Sequence, residues 1–170
     1  YISMIDRVVG RIKEATKGEL GITLSLGEQS EETYKRWKAA GAHRYLLRIE
    51  TTNPELYARI HPADHLLEVR KECLAALRRT GYQVGTGVMV GLPGQTLEDL
   101  VNDILFLKGV DIDMVGMGPY ITHRDNPMGQ GIPPYTEAQH YDALGLGRRR
   151  GDVNRLVVTD CDVARATSLQ

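Results

Sequence analysis

The chain has 170 residues, of which 42% are hydrophobic and 25% are charged, and its formal net charge is -1. These values are typical of one ordinary globular domain, or part of one, and not of a disordered segment. The nearly balanced charge argues against broad, non-specific binding to nucleic acid or to an anionic membrane. No apolar run approaches the ~18 residues of a membrane span, and no signal-peptide pattern is found, so we expect a cytoplasmic protein.

The cysteines give no metal motif. There are two of them, Cys73 and Cys161, and they are too few and too far apart to form one by themselves. Cys73 falls on the apolar stripe of a predicted helix, which favours its interpretation as a small core residue. We therefore predict no metal ligand in this chain.

The N-terminal part of the chain predicts a helix, a strand and a second helix. Apolar residues recur at helical spacing over residues 2–15. Residues 20–26 have the composition of a strand with one polar face, formed by Thr23 and Ser25. Hydroxyl groups at a strand end either bind a ligand or simply pack, and the pattern leaves both open. Ser30 is a good N-cap for the second helix.

The most informative stretch is 45–51, which predicts a strand that Asn53-Pro54 terminates. Side chains alternate along a strand, so Arg48 and Glu50 share one face. Charged groups on an otherwise apolar strand are costly unless they are paired or hydrated. In a parallel α/β sheet the hydrated place is the crevice at the carboxyl ends of the strands, where ligands bind. A structural ion pair that caps the strand end is the alternative.

A short helix, with Asn53 as its N-cap and Pro54 in its first position, and a longer helix lead to the next predicted strand. The apolar stripe of the longer helix consists of Leu66, Val69, Cys73, Leu74 and Leu77, with Arg70 beside it. The strand covers residues 82–90, and one of its faces consists of Gly85, Gly87 and Met89. Glycines weaken a strand unless something must approach it closely. This face is predicted to admit a flat group against the backbone, although tight barrel packing alone would also require glycine.

The last elements that the sequence predicts clearly are one more helix and one more strand. Thr96, with Asp99 three residues later, forms a capping box for a helix whose stripe is Leu97, Leu100, Val101, Ile104 and Leu105. Residues 113–117 predict a strand, and 118–134 an irregular loop. The order is thus one helix followed by four β-α units. Connections of this length require crossovers and a parallel sheet, and polar or glycine residues at the strand ends are typical of a TIM-type barrel.

Three ordered stretches carry a resemblance to a known family: RIETTNPELY at 48–57, GVMVGLPGQT at 87–96 and DMVGMGP at 113–119. With them, the chain resembles the radical S-adenosylmethionine (SAM) superfamily. Within it, the chain is most similar to the HydE type of maturase, which helps to build the organometallic cluster of [FeFe]-hydrogenase. Biotin synthase and methylornithine synthase are close relatives. The resemblance covers residues 1–128, and 129–170 is a divergent tail.

The resemblance implies a partial (β/α) TIM-type barrel, with roughly the middle and later βα units in one incomplete domain, 1–170. The family holds a [4Fe–4S] cluster on three cysteines in a C-x3-C-x2-C motif, which this sequence lacks. We therefore expect the chain to start after that motif and to stop before the barrel closes. The cluster ligands are then expected outside this chain, and SAM is the expected cofactor that the chain contacts.

The resemblance also implies site residues, while no catalytic residue is assigned. Residues that match SAM-binding positions are Thr23, Arg48, Glu50, Arg70, Gly87, Met89 and Met114. Glu50 is expected to bind the ribose hydroxyls or the methionyl amino group, and Arg70 the SAM carboxylate. The strand with Gly87 and Met89 is expected to stack against adenine. Thr167 is the expected substrate-side hydroxyl.

The implied reaction is reductive cleavage of SAM to methionine and a 5′-deoxyadenosyl radical, which attacks a cysteine-bound Fe(CO)2CN precursor. The implied partners are a small-molecule or organometallic substrate, a reductant protein and other hydrogenase maturation proteins, with no nucleic acid and no membrane. Two alternatives stay open. One is another radical SAM chemistry, like that of biotin synthase or methylornithine synthase. The other is an inactive barrel segment that acts as a binding module, which the missing cysteine motif favours and the charges of Arg48, Glu50 and Arg70 oppose.

Overall fold

The computed structural model of the protein describes residues 1–121 and the backbone of residues 156–157. The elements in these ranges are α1 Ile2–Ala15, β1 Thr23–Leu24, α2 Glu31–Ala40, β2 Arg44–Leu46, α3 Pro54–Ile60, α4 Leu67–Arg79, β3 Gln83–Val90, α5 Leu97–Gly109, β4 Met114–Pro119 and β5 Leu156–Val157. The described strands form one sheet in chain order, from β1 to β5, and every neighbouring pair is parallel. Helices join β1 to β2, β2 to β3 and β3 to β4, and parallel strands that pair in chain order are the arrangement of a (β/α) barrel. The predicted partial barrel is confirmed.

A cluster of aromatic rings fills the core between the helices and the sheet. Tyr45 of β2 is fully buried, and its ring centroid lies 5.1 Å from that of Tyr34, 5.7 Å from that of Tyr82 and 6.4 Å from that of Trp37. Cys73 is a buried free thiol at the edge of this cluster, as predicted. Packed aromatic pairs of this kind stabilise a core beyond the area they bury. The apolar face of the 45–51 segment is therefore the face that packs against the helices.

The segment after β2 contains a bulge. Leu46 pairs with Gly85, and Glu50 forms a bridge with Val88. Three residues thus lie between the two partners on this segment and two lie between them on β3, so one extra residue is inserted here. Bulges re-aim side chains and are common next to active sites. The predicted strand 45–51 is regular only over Arg44–Leu46 because of this insertion.

Two of the predicted helix stripes are partly wrong. Leu66 and Val69 are 58% and 45% exposed, and Leu97 and Leu105 are 62% and 48% exposed. Leu66 is the N-cap of α4, with an extended backbone, so its side chain precedes the first helical turn. The buried residues are Leu67, Cys73, Leu74, Ala76 and Leu77 of α4 and Leu100, Asp103, Ile104 and Leu107 of α5. The predicted strand 20–26 is also shorter than expected, since only Thr23–Leu24 pairs with β2.

The three predicted helix caps are present. The side chains of Ser30, Asn53 and Thr96 accept hydrogen bonds from the first turns of α2, α3 and α5. The cap of α5 is the predicted capping box with Asp99. None of the described helices is long and apolar enough to cross a membrane.

Replacing Thr96 by alanine is expected to lower the free energy of unfolding by about 1 kcal/mol, because the amide of Asp99 then loses its side-chain acceptor. Chemical denaturation of Thr96→Ala beside the wild type measures this cost. Thr96→Ser keeps the hydroxyl and serves as the control. Equal stability of all three proteins would contradict the capping role.

Candidate functional site

The candidate site lies at the carboxyl ends of the strands, where charged residues follow β1 and β2 and occupy the first turn of α4. Arg48 and Glu50 form an ion pair, with 2.9 Å between Nε and Oε1, and their side chains are 30% and 21% exposed. Arg48 Nη2 also donates to the carbonyl oxygen of Val88 on β3, at 3.4 Å. The second carboxylate oxygen, Glu50 Oε2, is buried and has no hydrogen-bond partner among the described residues. Buried carboxylate oxygens are normally paired, so Oε2 is an acceptor available to a ligand.

The backbone at Glu50 is in the left-handed region. Its φ is 64°, and the amide of Thr51 donates to the carbonyl of Ile49 at 2.8 Å, which closes a three-residue turn around Glu50. β3 holds this turn, because the amide of Glu50 donates to Gly87 and its carbonyl accepts from Met89. Such a conformation costs a non-glycine residue about 1–3 kcal/mol and persists where the surroundings impose it. The strain is therefore stored at the residue with the unpaired carboxylate oxygen.

Arg70, from the first turn of α4, is fixed by three contacts at the same rim. Its Nε lies 2.7 Å from Glu28 Oε1 and 3.2 Å from the hydroxyl of Tyr57. Its Nη1 donates to the carbonyl of Arg48 at 3.2 Å. These contacts involve Nε and Nη1 and not the Nη2 amino group. Arg70 thus presents an oriented cationic donor beside the Arg48–Glu50 pair.

The glycine face of β3 is covered by close neighbours. A Cβ atom at Gly87 would lie well inside the contact distance of the carbonyl oxygen of Gly116, and 3.3 Å from Cζ of Arg48. A Cβ atom at Gly85 would meet the ends of two flexible side chains, Leu46 at 2.9 Å and Met114 at 3.0 Å. Tight packing against β4 and under Arg48 is therefore sufficient to require glycine at position 87. The flat-ligand interpretation of this face stays a prediction.

A cavity of about 250 Å³ opens on this inner face of the sheet. Its walls are formed by Thr23, Leu46, Arg48, Thr86, Met114, Val115 and Gly116. Three predicted site residues thus meet in one space, namely Thr23, Arg48 and Met114. The space is smaller than the roughly 300 Å³ at which small-molecule pockets begin. It would hold part of a ligand that extends beyond these walls.

The loop after β3 is held by Gln95. Its Oε1 accepts from the amides of Gly91 and Leu92, at 2.6 and 3.2 Å, and its Nε2 donates to the carbonyl of Met89 at 3.0 Å. One side chain therefore closes the turn that follows Met89. Gln95 belongs to the GVMVGLPGQT stretch, but the sequence alone gave it no role.

Burial sets the protonation of the aromatic pair beside Arg70. The rings of Tyr57 and His61 are stacked, with centroids 3.8 Å apart. Burial lowers the pKa of His61, so the imidazole is neutral at neutral pH. Burial also raises the pKa of Tyr57, against the opposing effect of its hydrogen bond from Arg70. Tyr57 therefore stays a neutral hydroxyl that fixes the guanidinium.

A second and larger cavity, of about 510 Å³, lies at the amino ends of β1 and β2. Lys13 and Lys38 line it, but their ammonium groups already donate to backbone carbonyls. In a barrel, residues at the amino ends of the strands contribute to stability, whereas ligands bind at the carboxyl ends. The rim around Arg48 is therefore the better candidate.

The structure brings together the predicted residues that it describes. Thr23, Arg48 and Met114 share the cavity, Gly87 lies under Arg48, and Glu50, Met89 and Arg70 join through the contacts above. Thr167 and the tail from residue 122, apart from the backbone of 156–157, lie outside the described residues. The sequence analysis gave no role to Glu28, which contacts Arg70, or to Gln95, which holds the loop after β3. The position of Glu28 two residues after the predicted strand 20–26 was the only available signal for it.

The family model of the radical SAM superfamily matches residues 2–107. The chain belongs to the radical SAM superfamily. It is 53% identical over 125 residues to the [FeFe] hydrogenase maturase subunit HydE of Thermotoga maritima, a match that covers 74% of this chain and 36% of that protein. It is 28% identical over 132 residues to a biotin synthase of Chlorobium luteolum, covering 78% of this chain and 37% of that one.

The radical SAM fold is also found by structural comparison. The crystal structure of methylornithine synthase superposes with a TM-score of 0.70 at 18% identity, covering 91% of this chain and 51% of that one. At this identity the likeness concerns the fold alone. The chain spans just over a third of the length of the curated relatives described above, so it corresponds to part of such a protein.

Proposed function

We propose that this chain forms the SAM-binding part of a radical SAM enzyme of the HydE type. The observation that carries the proposal is the rim at the ends of β1 and β2. There, Glu50 Oε2 is buried without a partner beside the guanidinium groups of Arg48 and Arg70. SAM carries groups that complement both kinds of side chain. Its hydroxyl and ammonium groups can donate to the carboxylate of Glu50, and its carboxylate can accept from a guanidinium group.

Each residue then has a defined task toward SAM. Glu50 accepts from the ribose hydroxyls or the methionyl amino group through Oε2, while Oε1 stays paired with Arg48. Arg70 donates from Nη2 to the carboxylate of the methionyl group, and its other nitrogens stay fixed by their present contacts. Thr23 and Met114 line the space beside the ligand, and β3 near Met89 stacks against adenine.

The family's [4Fe–4S] cluster is not held by the residues described here. The sequence has two cysteines, and the one within residues 1–121 is buried beside the backbone of Gln29. Such a cluster needs thiolate ligands that this chain does not supply. Held by residues outside this chain, such a cluster would supply the electron for the reductive cleavage of SAM. The residues of this chain bind and orient SAM and keep water from it.

We also propose that the reaction serves maturation of the [FeFe]-hydrogenase. The support is that sequence identity to the HydE subunit is higher than that to biotin synthase. The match to the HydE subunit is 53% identical, and that to biotin synthase is 28%. We accordingly propose an organometallic iron substrate, a reductant protein and other maturation proteins as partners, in the cytoplasm. Biotin-synthase-like or methylornithine-synthase-like chemistry is the competing assignment.

The test uses the full-length product of the reading frame that encodes this chain. After anaerobic reconstitution and reduction, incubation with SAM is expected to yield 5′-deoxyadenosine and methionine, measured by chromatography. A cysteine-bound iron carbonyl cyanide substrate is expected to accelerate this cleavage, whereas dethiobiotin, the substrate of biotin synthase, is expected to leave it unchanged. SAM binding without cleavage would favour the binding-module alternative, and acceleration by dethiobiotin would contradict the HydE assignment.

A further inference from the structure

Two carboxylates of α5, one helical turn apart, face the segment that follows Glu50. Asp103 has no exposed surface, although it lies on a helix whose other buried residues are Leu100, Ile104 and Leu107. Burying a carboxylate is costly unless hydrogen bonds compensate for its lost hydration. Burial raises the pKa of Asp103, and its bonds from Thr52 oppose that shift. An apolar side chain would fill the same place without this cost, so the carboxylate requires a specific explanation.

The contacts of the two carboxylates converge on two consecutive residues, Thr52 and Asn53. Asp103 Oδ1 accepts from the amide of Thr52 at 2.5 Å and from its hydroxyl at 2.6 Å. Asp99 Oδ1 accepts from the side-chain amide of Asn53 at 2.7 Å. The hydroxyl of Thr51 accepts from the amide of Asn53 at 3.2 Å. The chain after the three-residue turn is therefore held at each successive residue.

Thr52, which Asp103 binds, lies two residues from the strained backbone of Glu50. β3 holds the turn from one side through Gly87 and Met89, and α5 holds it from the other side through Thr52. A residue with φ 64° returns to a more favourable conformation when one of its restraints is removed. Such a relaxation rotates the peptide groups on either side of Glu50 and moves its carboxylate.

We propose that Asp103 is a positioning residue for the SAM site, which fixes the carboxylate of Glu50 by anchoring Thr52. The inference rests on the proposed function, because it assumes that Glu50 binds SAM. Asp103 itself is fully buried behind the turn and does not contact the ligand. Its contribution passes through the Thr52 amide and the turn around Glu50.

Replacing Asp103 by alanine is expected to weaken SAM binding by about tenfold, because a charge-assisted acceptor is lost from the turn. Thr52→Val removes only the hydroxyl donor and is expected to weaken binding by about threefold. In the double variant the two effects are expected to be less than additive, since both act on one hydrogen-bonded pair. The dissociation constant of SAM is measured by calorimetry on the full-length product of the reading frame.

Two further variants separate positioning from loss of stability. Asp103→Asn keeps an acceptor oxygen on a side chain of the same shape. It is expected to retain most of the SAM affinity that Asp103→Ala loses. Asp113→Ala is the matched control, because Asp113 Oδ2 accepts from the amide of Val84 at 2.7 Å and from Arg78 at 2.8 Å, at the amino end of the sheet. It is expected to lower the melting temperature while the SAM affinity stays unchanged.

A second readout needs no ligand. Amide hydrogen exchange at Thr51 and Thr52 is expected to accelerate in Asp103→Ala and not in Asp113→Ala. The inference is overturned if Glu50→Gln weakens SAM binding and Asp103→Ala does not, or if Asp113→Ala weakens it equally. It is also overturned if exchange at Thr51 and Thr52 is unchanged. If Glu50→Gln leaves binding intact, the role of Glu50 in the proposed function fails, and the inference fails with it.

Discussion

Gly87→Ala is expected to lower the free energy of unfolding by about 3 kcal/mol, because the new methyl group meets backbone that cannot move aside. The Cβ atom would press into the carbonyl oxygen of Gly116, which is the partner of Gly87 in the β3–β4 register. Relief requires β3 and β4 to separate. The usual gain from replacing a strand glycine, about 0.5–1 kcal/mol, is too small to compensate.

Gly85→Ala is the matched control for this prediction. It lies on the same face of the same strand, and the tight contacts of its Cβ atom would be with the ends of the Leu46 and Met114 side chains, at 2.9 and 3.0 Å. These ends can rotate, so we expect a change within about 1 kcal/mol. Urea denaturation of both variants measures the difference. Equal stability of the two variants would show that the β3–β4 spacing adapts easily.

The fold was predictable from the sequence because its determinants are local. Each predicted strand is separated from the next by a connection too long for a hairpin, which forces parallel pairing. The caps at Ser30, Asn53 and Thr96 set the helix starts, and all three are confirmed. Which side of each helix faces the core was less predictable. Leu66 and Leu97 satisfy the helical spacing, yet each lies at the helix start with its side chain exposed.

The parts of the site that were missed depend on contacts between distant residues. The bond from Thr52 to Asp103 spans 51 positions in the chain, and Glu28 and Arg70 are similarly remote. No local pattern identifies the partner of a lone carboxylate on a helix or loop. The bulge before Glu50 was hidden for the same reason, since it exists only relative to the register of β3.

The two sequence interpretations of the Arg48–Glu50 pair turn out to be compatible. A structural ion pair uses one carboxylate oxygen, at 2.9 Å from Arg48 Nε. The other oxygen is buried and unpaired, as a ligand-binding interpretation requires. The strained turn gives Glu50 this orientation, and a residue needed only for stability gains nothing from the strain.

Glu50→Gln is expected to weaken SAM binding by about ten- to a hundredfold, because it replaces the free acceptor Oε2 with an amide that donates. A hydrogen bond to a charged acceptor contributes about 1.5–3 kcal/mol, and each 1.4 kcal/mol is tenfold in affinity. The substitution is isosteric, and Oε1 still accepts from Arg48. The free energy of unfolding is therefore expected to change little, which separates loss of binding from loss of structure.

Glu31→Gln is the control, because it removes the same charge from the outer surface of α2. Glu31 pairs with Lys35 and Arg79, each at 2.8 Å, and the hydrogen bonds from these two cations lower its pKa to about 2. Its loss is expected to leave the dissociation constant of SAM unchanged. Calorimetric titration of the wild type and both variants under anaerobic conditions makes the comparison. If Glu50→Gln binds SAM as tightly as Glu31→Gln does, the unpaired oxygen of Glu50 does not face the ligand, and its charge serves only the ion pair with Arg48.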